Sequence, residues 1–253
     1  MKLSKAFIER IRQINPSYVH LELALEDEAL RQMKPGQSLL VRSLEAEDAA
    51  LDWDPYLREH WWPVGLTGKG TLIVERPNRE TYQVGQQLSI LGPVGKKYLF
   101  RPNLRNVLLI AYDTEPTPLT IMAPILLQNR VSTALILLGA ARKYDTEHLP
   151  AEIEVIRGDD RFQWPDQVFT FGWADQIFVA VGTDDEMLRF KEVLDLIESR
   201  RSVDKSYVFG VFRPWLPCGT GACGACALTL KEGSQRKYVC QDGPAFDLTK
   251  VKL

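Results

Sequence analysis

Pro217-Cys218-Gly219-Thr220-Gly221-Ala222-Cys223-Gly224-Ala225-Cys226, followed at a distance by Val239-Cys240-Gln241-Asp242-Gly243-Pro244-Ala245-Phe246, contains all four cysteines of the 253-residue chain. The spacing is Cys-x4-Cys-x2-Cys, then thirteen residues, then a last cysteine, which is the run of a plant-type [2Fe–2S] site. Gly219, Gly221 and Gly224 tolerate positive φ and let the backbone wrap closely round an inorganic core. Its N–H groups can then point at the sulfurs and offset their charge. Residues 227–231 and 236–239 read as two strands joined at Glu232-Gly233-Ser234, so a hairpin turning at Gly233 returns Cys240 to face Cys226. Cys218, Cys223, Cys226 and Cys240 are therefore the expected ligands, and electron transfer is the expected chemistry. A structural four-thiolate zinc site, the alternative metal, usually comes as two short Cys-x2-Cys knuckles. A disulfide scaffold spreads its cysteines through a small secreted fold. Three cysteines crowded on one loop and one standing alone match neither pattern.

Outward from that segment, a strand at 207–212 leads into Pro214-Trp215-Leu216-Pro217. Between 103 and 212, apolar runs at 107–111, 134–139, 152–156 and 176–181 alternate with helical periodicity at 119–129 and 185–200, as in a parallel α/β sheet. Met187, Phe190, Val193, Leu194 and Ile197 recur at helical spacing and read as core. Residues 1–102 read instead as short strands separated by turns. In Tyr18-Val19-His20-Leu21-Glu22-Leu23-Ala24-Leu25 the apolar Val19, Leu21, Leu23 and Leu25 share one face. Pro35-Gly36-Gln37 turns into a strand at 38–41, and further strands fit 71–75 and 87–91, the latter closed by Gly92-Pro93-Val94-Gly95. Residues 44–62 read as a surface excursion. The expected class is multi-domain α+β: an antiparallel β-barrel over 1–102, a parallel α/β nucleotide-binding-like domain over 103–212 and a [2Fe–2S] segment over 213–253.

Composition is ordinary for a globular chain, 45% hydrophobic and 25% charged with a formal net charge of −2. No basic stretch carries interleaved aromatics, which excludes nucleic acid as an expected partner. The longest apolar stretch, around 131–141, falls well short of the roughly 20 residues that cross a bilayer. The N-terminus places charges where a signal peptide needs its apolar core. A soluble cytoplasmic protein is expected. His20, His60 and His148 are the only histidines, and no acid, base or nucleophile constellation accompanies them.

The cysteine run and the trailing Cys-Gln-Asp-Gly-Pro-Ala-Phe resemble the end of the electron-transfer subunit of class B dihydroorotate dehydrogenase. That family has an FAD-binding β-barrel, a nicotinamide-binding α/β domain and a [2Fe–2S] segment, the order read above. The resemblance implies a hetero-oligomer in which this chain carries electrons between NAD and the flavin of a dehydrogenase partner subunit. It also implies flavin contacts at Pro63, Val64, Gly65, Gly92, Pro93 and Gly95.

The chain departs from the family in both nucleotide sites. Where the family resembles Arg-Pro-x-Ser, a charged fork for pyrophosphate followed by a hydroxyl near the flavin, this sequence has Trp62-Pro63-Val64-Gly65. Gly68-Lys69-Gly70-Thr71 echoes the family's Gly-x-Gly-Thr but comes a strand's length early. FAD, if bound, is expected to be held weakly. The loop after the first α/β strand, Ala111-Tyr112-Asp113-Thr114-Glu115-Pro116-Thr117-Pro118, has no glycine and two acids where a pyrophosphate needs free N–H groups, so NAD binding is not expected. Asp113 or Thr114 reads as a helix cap, with Glu115 favouring the helix dipole and a proline in the first turn. Val181-Gly182-Thr183-Asp184 replaces the family's Cys-Gly-Pro and removes the thiol near the nicotinamide. Two functions fit these features. One is an electron-relay subunit beside a flavin-containing dehydrogenase; the other is a degenerate reductase-like binding or redox-sensing module whose cluster is structural or regulatory. Phe212, Trp215 and Leu216, just before the first ligand, read either as packing or as a docking rim for the partner.

Overall fold

The computed structural model describes residues 1–43, 58–67, 70–232 and 236–253. Seven antiparallel strands form the first sheet: β1 (Lys2–Gln13), β2 (Tyr18–Leu25), β3 (Ser38–Ser43), β4 (Glu59–Trp61), β5 (Pro63–Leu66), β6 (Leu72–Pro77) and β7 (Gln87–Val94), with a one-turn helix α1 (Glu28–Arg31) after β2. Their order is β4-β3-β7-β1-β2-β6-β5. Only Trp62 separates the two edge strands in sequence, and the sheet nearly closes into a barrel. Inward-facing Ala6, Ile8, Leu21, Leu23, Leu39, Val74 and Ile90 are buried in its core, as the alternation of β2 requires. β1 is a strand that the sequence pattern hides, because a register shift between Ile8 and Arg10 breaks its period of two.

Two expectations for this half need correction. Gly92 and Pro93 do not close β7 but lie within it, at an irregularity where Val94 pairs with Ser38 and Leu91 with Leu40. A bulge tolerates a proline that cannot donate to the ladder; the turn comes at Gly95, where φ is +82°. The expected surface excursion at 44–62 ends earlier, since Glu59–Trp61 pairs with β3. Residues 44–57 lie outside the described residues, as do Gly68, Lys69, Gly233 and Ser234.

The second sheet contains β8 (Asn106–Tyr112), β9 (Ser132–Leu138), β10 (Glu154–Arg157), β11 (Gln176–Val181) and β12 (Val208–Val211), all parallel in the order β10-β9-β8-β11-β12. Beyond their first one or two residues its middle strands are apolar, because both faces are covered. The expected helix at 119–129 is two pieces, α2 (Thr117–Thr120) and α3 (Ala123–Gln128). Pro124 has no N–H to continue the first ladder and starts the second piece. α4 (Gln167–Trp173) and α5 (Glu186–Arg200) follow, α5 burying Phe190, Val193, Leu194 and Ile197 as its spacing predicts.

The chain's end folds back onto this sheet. After the hairpin β13 (Ala227–Thr229) and β14 (Arg236–Tyr238) comes one helical turn, α6 (Val239–Asp242). β15 (Ala245–Asp247) then pairs antiparallel with β12 at the sheet edge. Among the described residues no helix is long and apolar enough to cross a membrane.

Candidate iron–sulfur site

The structure gathers the four cysteines as two pairs. Cys218 Sγ lies 3.2 Å from Cys223 Sγ, and Cys226 Sγ lies 3.3 Å from Cys240 Sγ. None of the four is in a disulfide. A tetrahedral ion with metal–sulfur bonds of about 2.3 Å sets two of its sulfurs roughly 3.7 Å apart, so each pair is spaced to chelate one metal with a small outward adjustment. Among the described residues no three cysteine sulfurs gather within 4.8 Å of one another. A single zinc ion needs all four that close; two separate pairs suit two irons.

Local backbone chemistry explains the arrangement. Gly219, Gly221 and Gly224 have φ of +66°, +78° and +71°, so the loop doubles back in a conformation other residues rarely adopt. A Cβ on Gly219 would stand 2.8 Å from the Leu40 side chain, and one on Gly221 would stand 2.9 Å from Gln241. The hairpin pairs Ala227 with Tyr238, which puts Cys226 opposite Val239, and Val239 N donates to Cys226 O at 3.0 Å. A turn symmetric about Gly233 would set Cys240 itself opposite Cys226; the observed ladder is one residue off that register, and α6 returns Cys240 Sγ to within 3.3 Å of Cys226 Sγ.

The two pairs sit in different environments. Cys218 and Cys223 are accessible, whereas Cys226 and Cys240 are buried. Hydrogen bonding from Thr220, supported by the Cys223 backbone, pulls the Cys218 thiol down to about 6. Burial, reinforced by Cys226, pushes Cys240 up to about 12. Cys218 is therefore readily ionised, whereas loading Cys240 must expel a proton.

The barrel clamps this segment from below. Gly95 N donates to Cys240 O at 2.9 Å, and Lys96 N donates to Gly243 O at 2.5 Å. Lys96 Nζ lies 3.1 Å and Lys237 Nζ 3.7 Å from Asp242 Oδ1. Gln241 Nε2 donates to Thr220 O, tying α6 to the cysteine loop. These supports went unread in the sequence, where their only signal was that Gln241 and Asp242 directly follow Cys240.

The six positions assigned to flavin separate onto different strands. Pro63, Val64 and Gly65 lie on β5, which pairs with β6. Gly92 and Pro93 lie on β7, Gly92 against Leu39 and Leu30 inside the barrel, and Gly95 contacts the cysteine segment. Helix α2 packs against β5, and Trp62 packs into the α/β core, 4.7 Å from the His60 ring. The residues at 62–65 offer neither a charged fork nor a hydroxyl.

The loop at 113–118 also satisfies itself. Asp113 does not cap α2, whose N-cap is Pro116 without a side-chain bond. At φ +54° its carboxylate turns away from the helix and accepts from Ala140 N at 2.9 Å. Glu115 accepts from the Tyr18 hydroxyl rather than facing a helix start. Both acids line a cleft of about 430 Å³ with Lys143 and Tyr144.

Of the residues before the first ligand, Phe212 and Leu216 are buried packing. Trp215 is 64% exposed.

Comparison with known proteins agrees with this geometry. Residues 215–252 match the iron–sulfur cluster binding domain of dihydroorotate dehydrogenase B. Over its full length the chain is 24% identical to the whole electron transfer subunit of dihydroorotate dehydrogenase B (NAD(+)) from Shouchella clausii. Among solved structures, NADH-dependent reduced ferredoxin-NADP oxidoreductase superposes with a TM-score of 0.70 at 17% identity, covering 98% of this chain and 89% of that one. A siderophore-interacting protein from Acinetobacter baumannii gives 0.56 at 15% identity, over 82% and 88%. The ferredoxin reductase of carbazole 1,9a-dioxygenase gives 0.57 at 15%, over 82% and 64%. The chain thus has a ferredoxin-reductase-like fold, and its residues 215–252 are similar to the cluster-binding domain of dihydroorotate dehydrogenase B.

Proposed function

We propose that this chain is an iron–sulfur electron-transfer protein, a divergent relative of dihydroorotate dehydrogenase B electron transfer subunits, that relays electrons to or from a flavin-containing dehydrogenase partner in a hetero-oligomer. Its ligands are Cys218, Cys223, Cys226 and Cys240. The observation that carries the reading is their division into two chelating pairs on a loop built by three positive-φ glycines. When bound, a [2Fe–2S] cluster supplies a one-electron couple whose potential depends on its hydrogen bonds and exposure. The chain's own residues hold the inner pair in the core and leave the outer pair near solvent, where a partner can approach. We take 1–102, 103–212 and 213–253 as its functional units and the cytoplasm, where thiols stay reduced, as its location.

FAD is weakly held and NAD is not bound in this reading, because the positions that would receive their phosphates are closed or acidic. That loss also supports the redox-sensing alternative. Anaerobic purification with iron, acid-labile sulfide, zinc and flavin assays is the first test, followed by reversible reduction. Two irons and two sulfides per chain, cycling with a partner, are expected. Stoichiometric zinc without sulfide would sink the reading, and a change of partner binding on reduction without turnover would establish the sensor.

A further inference from the structure

A second group of ligand-type side chains, sharing no residue with the cysteine segment, lies where the barrel meets the α/β sheet. His20 on β2 and Glu75 on β6 are directly paired across the two strands. His148 reaches them from the loop that follows β9 and the 3-10 turn Gly139–Lys143. His20 Nε2 and His148 Nε2 each lie 3.4 Å from Glu75 Oε2, and one donor atom from each residue falls within 4.8 Å of the other two.

Two features of this group call for a cation. The Glu75 side chain is 1% exposed, and among the described residues its only ion-pair partners are the two imidazoles. Its remaining contacts are neutral donors: the Tyr144 hydroxyl at 2.8 Å from both oxygens, and Thr117 Oγ1 at 3.1 Å from Oε1. A buried carboxylate without a permanent countercharge is costly. In addition, His20 Nε2 is buried without a hydrogen-bond partner, on a residue 7% exposed, and faces this same carboxylate; His148 Nδ1 is likewise unpartnered.

We propose that His20, Glu75 and His148 bind a first-row divalent ion of the Zn²⁺ type, which fastens the barrel to the α/β sheet. A four-coordinate ion with bonds of about 2.0–2.1 Å to N and O separates adjacent ligand atoms by roughly 3.3–3.4 Å, the spacing both His–Glu edges already have. Two imidazoles and one carboxylate suit zinc, cobalt or ferrous iron, whereas Ca²⁺ and Mg²⁺ prefer all-oxygen shells. The Tyr144 hydroxyl, 2.8 Å from both Glu75 oxygens and 3.1 Å from His148 Nε2, stands beside the ligand atoms and holds the carboxylate in place. The site is structural rather than catalytic.

One neighbour competes with the ion. Arg12 Nη2 lies 3.4 Å from His20 Nδ1, and because arginine only donates, the ion-free ring carries its proton on Nε2. Binding moves that proton to Nδ1, and Arg12, exposed on β1, turns to solvent.

Cluster-loaded protein, freed of adventitious ions, is titrated with Zn²⁺ by calorimetry and with Co²⁺ by visible absorbance. One equivalent of Zn²⁺ is expected, with a raised thermal midpoint and a four-coordinate cobalt spectrum lacking thiolate charge transfer. His148→Ala should lose at least about tenfold in affinity while iron and sulfide contents stay unchanged, and Arg12→Ala should bind more tightly. The proposal is overturned by failure of folded wild-type protein to bind at micromolar free ion, by thiolate bands in the cobalt spectrum, or by weaker binding in Arg12→Ala. The wild-type titrations and the surface Arg12 variant decide the matter even where His148→Ala fails to fold.

Discussion

The cysteine loop and the loop at 113–118 both turn the backbone through positive φ beside a place where an anionic group could sit, and they do opposite things with it. In the first, Gly219, Gly221 and Gly224 leave the space in front of the backbone to the sulfurs. In the second, Asp113 is itself the residue at positive φ, and its carboxylate fills the space; a Cβ on Gly139 would lie 1.9 Å from Asp113 Oδ1. An open cradle of glycines is costly to hold without an occupant, whereas a self-filled loop is stable alone. The difference separates a loop left open in front of its backbone from one that fills that space with its own side chain.

The largest effect expected from this contrast is at the cysteines. Cys223→Ser removes one half of the outer pair and should abolish cluster retention, read as loss of visible absorbance and acid-labile sulfide in anaerobic protein, with the α/β sheet still folded by circular dichroism. A variant that keeps two sulfides per chain would break the contrast from the cluster side.

The nucleotide loop is tested next. NADH should bind more weakly than about 1 mM by calorimetry, equivalent to less than roughly 4 kcal/mol, because Asp113 and Glu115 oppose a pyrophosphate and Ala140 N is already taken. A micromolar dissociation constant would break the contrast from the other side. Asp113→Gly sharpens it: the variant should gain affinity for NADH if the carboxylate is what blocks the cradle.

A smaller effect concerns docking beside the cluster. Trp215 is exposed three residues before Cys218, while Phe212 and Leu216 on either side of it are buried. Large exposed aromatics are common anchors of protein interfaces. Trp215→Glu should weaken association with the redox partner by about tenfold, or roughly 1.4 kcal/mol, with spectrum and thermal midpoint nearly unchanged. Loss of the cluster in this variant would assign Trp215 to packing instead.

Spacing made the four cysteines legible, since ligand geometry constrains how many residues separate them. Strand alternation likewise placed β2, and apolar runs placed β8 and β11. What stayed illegible depended on information the chain carries only once folded. Whether Trp215 or Leu216 faces out depends on the direction of a loop with no period. α4 hid because Val168 and Phe169 are exposed on it, inverting the usual amphipathic signal. His20, Glu75 and His148 come together only through the register of β2 with β6 and the docking of a distant loop, and no local pattern records that. The positions assigned to flavin lie on β5, on β7 and at the turn after it, a distribution that the turn sequences alone do not record.

The last effect expected is a pH dependence carried by the joint between the α/β sheet and the cysteine segment. Glu186, in the first turn of α5, accepts from Arg213 N at 2.7 Å, and Arg213 leads directly into Pro214 and Trp215. Burial pushes the Glu186 carboxyl up to about 7, against the pull of Arg213, from an ordinary value of 4.5. The folded state therefore holds a proton that the unfolded chain releases more easily. Its stabilising contribution is complete below about pH 4.5 and is lost as the pH rises through about 7. Between pH 5 and pH 8 the wild type should lose on the order of 1–2 kcal/mol more stability than Glu186→Gln, which keeps an acceptor for Arg213 N but cannot ionise. Urea midpoints at the two pH values measure this directly. Equal losses in the two proteins would show that Glu186 is ionised throughout and that this joint, unlike the inner cysteine pair, is open enough to water to hold its charge.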